Sequence, residues 1–533
     1  MPSVLVKRYR GESDVGDNAR HRESVCTGWR ASSAPSTGEK RFGAFKEIKT
    51  GTLVKILGHE FEWDRNCLTP ADLQAWRRKG DPLCDAVTHF FDPKPGQDML
   101  ETLLHYIDST PASEQHESVR NFWDAVSTIP TATDTPARAL SDPTQLTQAI
   151  RTDERSCEST PALGMETFWK YGNEITVCLL HLSLVTVLSG AKLVSVLKES
   201  NFLTSSQRDT SYRRALETLQ FVDACFTDMT PITGIGWKAV LRVRFLHAQV
   251  RRKILACKGE FGVYDADESG IPINQSDLAF TLGAFAISPL TGLRKMGIIL
   301  QPEEELAYVC AWKHIGYYLG VDDFFLTRFY SGPEAVVAAS KLYLCQTWYL
   351  LDMPVSDVRL DSKRKDTMSQ AFMLLSCAAN RAPHFGSLGW HAAIARILMG
   401  DDMADLLGLP DPSRLERVGA EGAVWAWRTS IDFGRIWRQG WDIERQSIFK
   451  DFIRIFIAEG LGWRRTKFTH REFTAHKGEF GVCPAQSSAL DYDTEPVERG
   501  MRKLGIKEVT RRGQWLVAEM ALSIVPRRPI VVK

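Results

Sequence analysis

The chain has 533 residues, with 66 Lys and Arg against 65 Asp and Glu, for a formal net charge of +1. A balance this close to zero gives no electrostatic case for nucleic acid or an anionic membrane surface, and it directs attention to a small molecule or a protein as partner. The eleven cysteines include no Cys-x-x-Cys pair, which excludes zinc ribbons, a thioredoxin-type motif and covalently attached haem, and fits a reduced compartment.

Residues 1–45 are rich in Ser, Gly, Arg and Glu without apolar periodicity and read as a disordered arm. The opening stretch lacks the apolar core of a secretory signal and no anchor-length helix follows it, so a soluble, intracellular protein is expected. Residues 51–63, GTLVKILGHEFEW, read as a short strand or extended segment. Thr69 followed by Pro70 supplies a cap and a proline at the first helical position, opening a helix to about Lys79. Asp81 and Pro82 repeat the device for a helix through about Phe91. Further helices are predicted around 99–107 and 114–126, after which Thr, Pro, Ser and Asp dominate 127–163, the composition of an insertion or loop.

Helical spacing returns over 164–171, 175–188, 191–197, 210–226 and 237–257, and again over 276–287, 302–319, 334–351, 362–378 and 390–398. The apolar run 175–197 comes nearest to a membrane span, but His181, Ser189-Gly190 and Lys192 interrupt it, so it reads as a buried core helix or helix pair. Few stretches alternate with period two, and the fold class is all-α. From Pro412 onward Trp425, Trp427, Trp437, Trp441 and Trp463 lie among arginines; without net positive charge this reads as a packed helical extension, not a nucleic-acid surface. The hexapeptide KGEFGV occurs at 258–263 and again at 477–482, too short to define a structural repeat.

One helix face is unusual. In Leu241–Ile254, LRVRFLHAQVRRKI, a helical period of about 3.6 residues puts Arg244, His247 and Arg251 on one side. Two permanent charges beside an imidazole disfavour its protonated form and leave it neutral, the state that binds a metal. The arginines themselves need anions. Taken alone, the same pattern also describes a polar, solvated stripe.

Other pieces surround this helix in a fixed order: RRKGDPLCDAV at 77–87; Gly164, Phe168 and Gly172; the apolar helix ending Ser189-Gly190-Ala191; Arg214, Glu217 and Thr218 with Phe221-Val222; IPINQSDLAFTLGAF at 271–285; WKHIGYYLGVDD at 312–323; and ILMGDDMADLLGLP at 397–410. The series resembles the catalytic domain shared by bacterial rubber oxygenases (latex clearing proteins) and the fungal ER-bound oxygenase of mycophenolic acid biosynthesis, over roughly residues 70–410. The resemblance implies an all-α, globin-like domain that holds one non-covalent haem b and uses O2 on an apolar, unsaturated, isoprenoid-like substrate, with secondary metabolism as one setting.

Carried over residue by residue, it makes His247 the proximal iron ligand, sets Arg244 and Arg251 beside the haem as propionate partners, and matches Arg214 and Thr218 to a distal-side motif. Here the chain departs from the rubber enzymes: Glu217 stands where they place a lysine able to cap the iron, so a lysine-capped closed state is unavailable at that position. Glu199 is the nearest counterpart, by separation, of their glutamate base; an exposed helix-end carboxylate is the plainer reading. His181 reads as a hydrogen-bonded core histidine, His314 as a second pocket residue and His391 as structural.

Two other function classes compete. Asp401, Asp402 and Asp405 repeat the Asp-rich pattern by which all-α terpene synthases hold Mg²⁺, and Asp322-Asp323 is a weaker echo, but no second metal-binding cluster follows and an acidic helix start explains the pattern equally. A non-catalytic protein that keeps the fold without haem is the other. The organisation expected is an arm at 1–45, an oxygenase-like helical domain at 46–411 with its insertion near 127–163, and a Trp/Arg-rich extension at 412–533. Oligomeric state is not legible.

Overall fold

The computed structural model describes residues 50–128, 161–199, 208–256, 264–352 and 370–462, apart from positions 58, 65–66, 189–190, 265, 382–383 and 438–439, together with residues 466 and 468. The expected arm, most of the insertion, both copies of KGEFGV and most of the chain beyond 462 lie outside these residues.

The described chain is mostly helical, but it opens with a β-hairpin, a correction to a purely all-α reading. Strand β1 (Thr52–Ile56) pairs antiparallel with β2 (His59–Trp63), Val54 opposite Phe61. Alternation turns Val54, Ile56, Phe61 and Trp63 inward, and the Trp63 ring lies 5.5 Å from that of Trp348.

Cap chemistry then sets the helix starts. Helix α1 (Pro70–Trp76) begins with a capping box between Thr69 and Asp72, and α2 (Pro82–Phe91) with Asp81 accepting from the Cys84 N–H. Helices α3 (Met99–Ser109) and α4 (Glu117–Val126) follow, and α5 (Pro161–Lys170) resumes after the insertion. Helix α6 (Gly172–Val187) contains a π-helical stretch at Leu179–Leu184, and α7 (Ala191–Glu199), α8 (Arg208–Cys225) and α9 (Ile235–Ala256) continue the core.

Helix α10 (Gln275–Lys295) runs through the centre, packed by α6 and α11 (Pro302–Leu319). It continues through Pro289, well past the end predicted at 287. Among the described residues it alone is long and apolar enough to cross a membrane, yet 89% of that apolar window is buried inside the fold. Then come α12 (Asp323–Phe329), α13 (Ala335–Asp352), α14 (Gln370–Ala378), α15 (Leu388–Met399) and α16 (Asp401–Leu406).

Two long helices close the described chain, α17 (Arg414–Trp437) against α15 and α18 (Trp441–Gly460) against α5 and α8. They pack through Trp427, Ile431, Phe449 and Ile453, while Leu415, Val418, Trp425, Ile436 and Trp437 of α17 remain exposed. The close approach of α5 to α11 requires a glycine for a steric reason: a Cβ on Gly164 of α5 would lie 2.1 Å from the Ala307 carbonyl oxygen of α11.

Candidate functional site

The sequence pieces at 77–87, 242–252, 271–285 and 312–323 converge on one buried polar lattice. Arg244 of α9 grips Asp81 at two points, Nε to Oδ2 at 2.7 Å and Nη2 to Oδ1 at 3.0 Å, and donates a third bond to the Tyr318 carbonyl at 3.3 Å. Arg251, two turns along the same face, pairs with Asp85 of α2 and donates to the carbonyls of Pro272 and Ile273. Arg77 donates from Nη1 to Asp277 at 2.7 Å and from Nε to the Ser269 carbonyl, with Arg77 and Asp277 both buried. Gln275 completes the junction, giving its amide to the carbonyls of Gly80 and Gly320 and accepting from the Asp322 N–H.

Gly320 is a fixed point of this lattice. Its φ of +85° is one that glycine alone adopts freely, and a Cβ there would sit 2.5 Å from Asp81 Oδ2 and 2.6 Å from Arg244 Nε. Burial works against the Asp81 carboxylate, but the Arg244 charge, its hydrogen bonds and the Cys84 N–H outweigh it and hold the group below its ordinary value. At Asp85 burial wins and the carboxyl is raised in spite of Arg251.

The lattice corrects one step of the sequence argument. Arg244 and Arg251 do share a face with His247, but they have no need of anions from outside the chain, because Asp81 and Asp85 supply them. The signal was present in the sequence: Asp81 and Asp85 are one helical turn apart beside a helix start, matching arginines spaced along a partner helix.

His247 lies between the two ion pairs. Burial first and the Arg251 charge second push its imidazole down to about 4, so it is neutral at physiological pH. Its Nδ1 is buried without a hydrogen-bond partner, and the residue as a whole is partly buried. His314 of α11 is likewise lowered to about 4 by burial.

Helices α8 and α9 pack together as a hairpin, and near its turn a Cβ on Gly236 would come 2.5 Å from the Ala224 carbonyl oxygen. At a rise of about 1.5 Å per residue, Arg214 and His247 both lie roughly 15 Å along their helices from that point, so they stand at the same level. Arg214 donates to Glu217 at 2.5 Å, Arg213 reaches the same carboxylate at 3.4 Å, and the Thr218 hydroxyl donates to the Arg214 carbonyl. Glu217 also accepts from the Thr466 hydroxyl at 3.2 Å, and Gln220 brackets the Thr466 backbone with two bonds. Glu199 is the last residue of α7; its side chain is outside the described set.

On the Thr218 side of α8 lies a cavity of about 120 Å³, walled by α6, α8, α14, α15 and α18. Leu180, Leu184, Leu219, Val222, Phe449 and Phe456 make its surface predominantly apolar, and His181, His384 and His391 are its imidazoles. His181, expected to be a hydrogen-bonded core residue, bonds the Val177 carbonyl and His391, each at 2.8 Å.

The Asp-rich pattern serves a different purpose from metal binding. Asp401 and Asp405 both bind the buried Arg396, at 3.2 and 2.6 Å, and Arg417 takes the other oxygen of Asp401 at 3.0 Å. Asp322 caps α12 by accepting from the Phe324 N–H, and Asp323 lies in that helix's first turn. Among the described residues no group of three or more His, Cys, Asp or Glu side chains could hold a metal ion. The Mg²⁺-binding alternative therefore loses its ligands.

Residues 169–429 match a family model described as "ER-bound oxygenase mpaB/B'/Rubber oxygenase, catalytic domain". A solved structure of latex clearing protein in the closed state is similar over 76% of this chain and 93% of its own, at 17% identity and a TM-score of 0.42. No curated protein matches the chain.

Proposed function

We propose that this chain, whose residues 169–429 belong to the mpaB/rubber oxygenase catalytic-domain family, is an intracellular haem b-dependent oxygenase that acts with O2 on an apolar, unsaturated small molecule. The observation that carries the haem reading is His247: a neutral imidazole with an orphaned buried Nδ1, fixed on a helix that two buried arginines tie to α2. That donor fits the proximal position of a b-type haem, which needs a neutral ring held in one orientation. The haem would supply the oxygen chemistry; the protein supplies ligand, orientation and exclusion of water.

In this reading His247 is the ligand. Arg244 and Arg251 act first through Asp81 and Asp85, fixing the His247 face, and any contact they make with a propionate is shared with those carboxylates. Arg214, level with His247 along the paired helices, and Thr218, one turn further along α8, are the distal-side candidates, and Glu199 is the candidate base. Thr218 also lines the apolar cavity, which connects the distal motif to the place where an apolar substrate would lie.

The test is a pyridine haemochrome assay with an absorption spectrum, on the purified or haem-reconstituted full chain and on His247→Ala. The expected result is one haem b per chain in the wild type, with a lost or displaced Soret band in the variant, whose helix should persist because alanine favours it. Far less than one equivalent in the wild type would favour a binding protein that keeps the fold alone. An unshifted band in His247→Ala would move the ligand elsewhere, with His314 next to be tested.

A further inference from the structure

His181 and His391 form a relay whose proton positions follow from the geometry. His181 Nδ1 lies 2.8 Å from the Val177 carbonyl, which can only accept, so that nitrogen carries the proton. Burial, with the neighbouring imidazole of His391 adding to it, keeps the His181 ring neutral, so its Nε2 is a bare acceptor. His391 Nδ1, 2.8 Å away, must therefore donate to it. His391 is itself neutral, lowered to about 4 chiefly by burial, so its proton resides on Nδ1 and its Nε2 holds a free lone pair. That Nε2 is buried and has no hydrogen-bond partner, and His391, a residue only 3% exposed, forms part of the wall of the apolar cavity.

An acceptor fixed in one tautomer, buried and unpartnered in a predominantly apolar enclosure, selects a ligand that brings one hydrogen-bond donor with it. We infer that the cavity between α6, α8, α14, α15 and α18 binds an apolar molecule carrying a hydroxyl, whose O–H donates to His391 Nε2. The lining supplies no carboxylate, and no group of three metal-ligating side chains occurs among the described residues, so a metal ion is the poorer fit. One water occupies on the order of 10–15 Å³ on the scale of this 120 Å³ cavity, giving room for roughly ten non-hydrogen atoms. A medium-chain alcohol or an alcohol-bearing segment of a longer chain meets both conditions. As a statement about the substrate this rests on the oxygenase reading; as a statement about binding it does not.

The experiment compares two isomers, octan-1-ol and 1-methoxyheptane, which match in size and apolar surface but differ in possessing a donor. Titration calorimetry on the full chain should show the alcohol binding about tenfold more tightly than the ether, the effect of one hydrogen bond in a dry site. His391→Leu should reduce that preference to within about twofold, since leucine has no acceptor. Leu219→Trp, which fills the cavity without touching the relay, should abolish binding of both. Equal affinities in the wild type, a preference that survives His391→Leu, or unchanged binding in Leu219→Trp would each overturn the assignment. Should His391→Leu fail to fold, the wild-type comparison and Leu219→Trp still decide. Haem content measured on the same samples reports separately on the oxygenase reading.

Discussion

Arg244 and Asp81 meet in a two-point ion pair, 2.7 and 3.0 Å long, across 163 residues of sequence, with both side chains buried. Asp81 does two things at once: it caps α2 by accepting from the Cys84 N–H, and through Arg244 it fixes the face of α9 that carries His247. A buried pair of this kind contributes little relative to an apolar substitute, but losing one partner leaves the other charge stranded, at about 3–5 kcal/mol. Asp81→Ala should therefore lower the unfolding free energy by that amount in a urea titration. Gly320→Ala should also destabilise, by at least about 1–2 kcal/mol, because its Cβ would collide with both members of the pair at a φ of +85°. A Gly320→Ala protein as stable as the wild type would show that the pair relaxes freely.

The same pair gives a pH dependence whose sign is fixed. The folded value of Asp81 lies below its ordinary 3.8, so its contribution is complete above that pH and is lost as the pH falls through the lower, folded value. Asp81→Asn should flatten the acid limb of the stability profile below pH 4.

The buried histidines act in a separate, higher window. His247, His314, His384 and His391 are lowered to about 4, each chiefly by burial, while free imidazole titrates near 6.5. Above 6.5 the rings are neutral in both states and add no pH dependence. Between 6.5 and 4 the unfolded chain takes up protons that the folded chain refuses, so stability falls as pH falls. At pH 5 this amounts to at most about 2 kcal/mol per ring. Unfolding free energies from urea titrations at pH 7 and pH 5 should therefore differ by several kcal/mol, with proton uptake on unfolding at pH 5; equal free energies would mean the rings are hydrated.

How much of this was legible in the sequence depends on how local the cause is. Thr69-Pro70 and Asp81-Pro82 mark helix starts because a cap and a proline act within a few residues, and those starts agree with the structure. The shared face of Arg244, His247 and Arg251 is likewise a property of one helix. The partners of that face are not, since Asp81 and Asp85 come from a helix far away in sequence. Reading the arginines alone left their anions to be sought outside the chain. The continuation of α10 through Pro289 was hidden for a related reason: local propensity ends a helix there, and burial among α6, α11, α13 and α15 overrides it. Asp322 failed in the opposite direction, as a helix cap that resembled half of a metal motif.

The Asp-rich stretch after α15 offers a direct check on that lesson. Asp401 and Asp405 are about half exposed, so replacing either with Asn should change stability by no more than about 1 kcal/mol. Arg396 is 4% exposed and also donates to the carbonyls of Leu409 and Pro410, so Arg396→Ala should cost more, on the order of 3 kcal/mol. Millimolar Mg²⁺ should leave the melting temperature unchanged. A rise in melting temperature that Asp401→Asn removes would restore the metal site.

Glu217 is where this chain departs from the lysine of the rubber enzymes, and the structure shows what replaces it. The carboxylate is 2% exposed and is held by Arg214 at 2.5 Å, Arg213 at 3.4 Å and the Thr466 hydroxyl at 3.2 Å. Glu217→Lys would set an ammonium among two guanidinium groups and remove the acceptor for Thr466, so the protein should lose about 3–5 kcal/mol of stability. A lysine there would shed its proton to escape that repulsion, and a neutral amine is a form able to ligate iron. The ferric wild-type protein, with a carboxylate at this position, should show no nitrogen-capped low-spin EPR signal. Glu217→Lys should acquire one if α8 faces the haem opposite His247, and Glu217→Gln, which keeps the shape without an amine ligand, should not. A haem-loaded Glu217→Lys protein with the wild-type spectrum would place α8 away from the iron, and the distal roles proposed for Arg214 and Thr218 would fall with it.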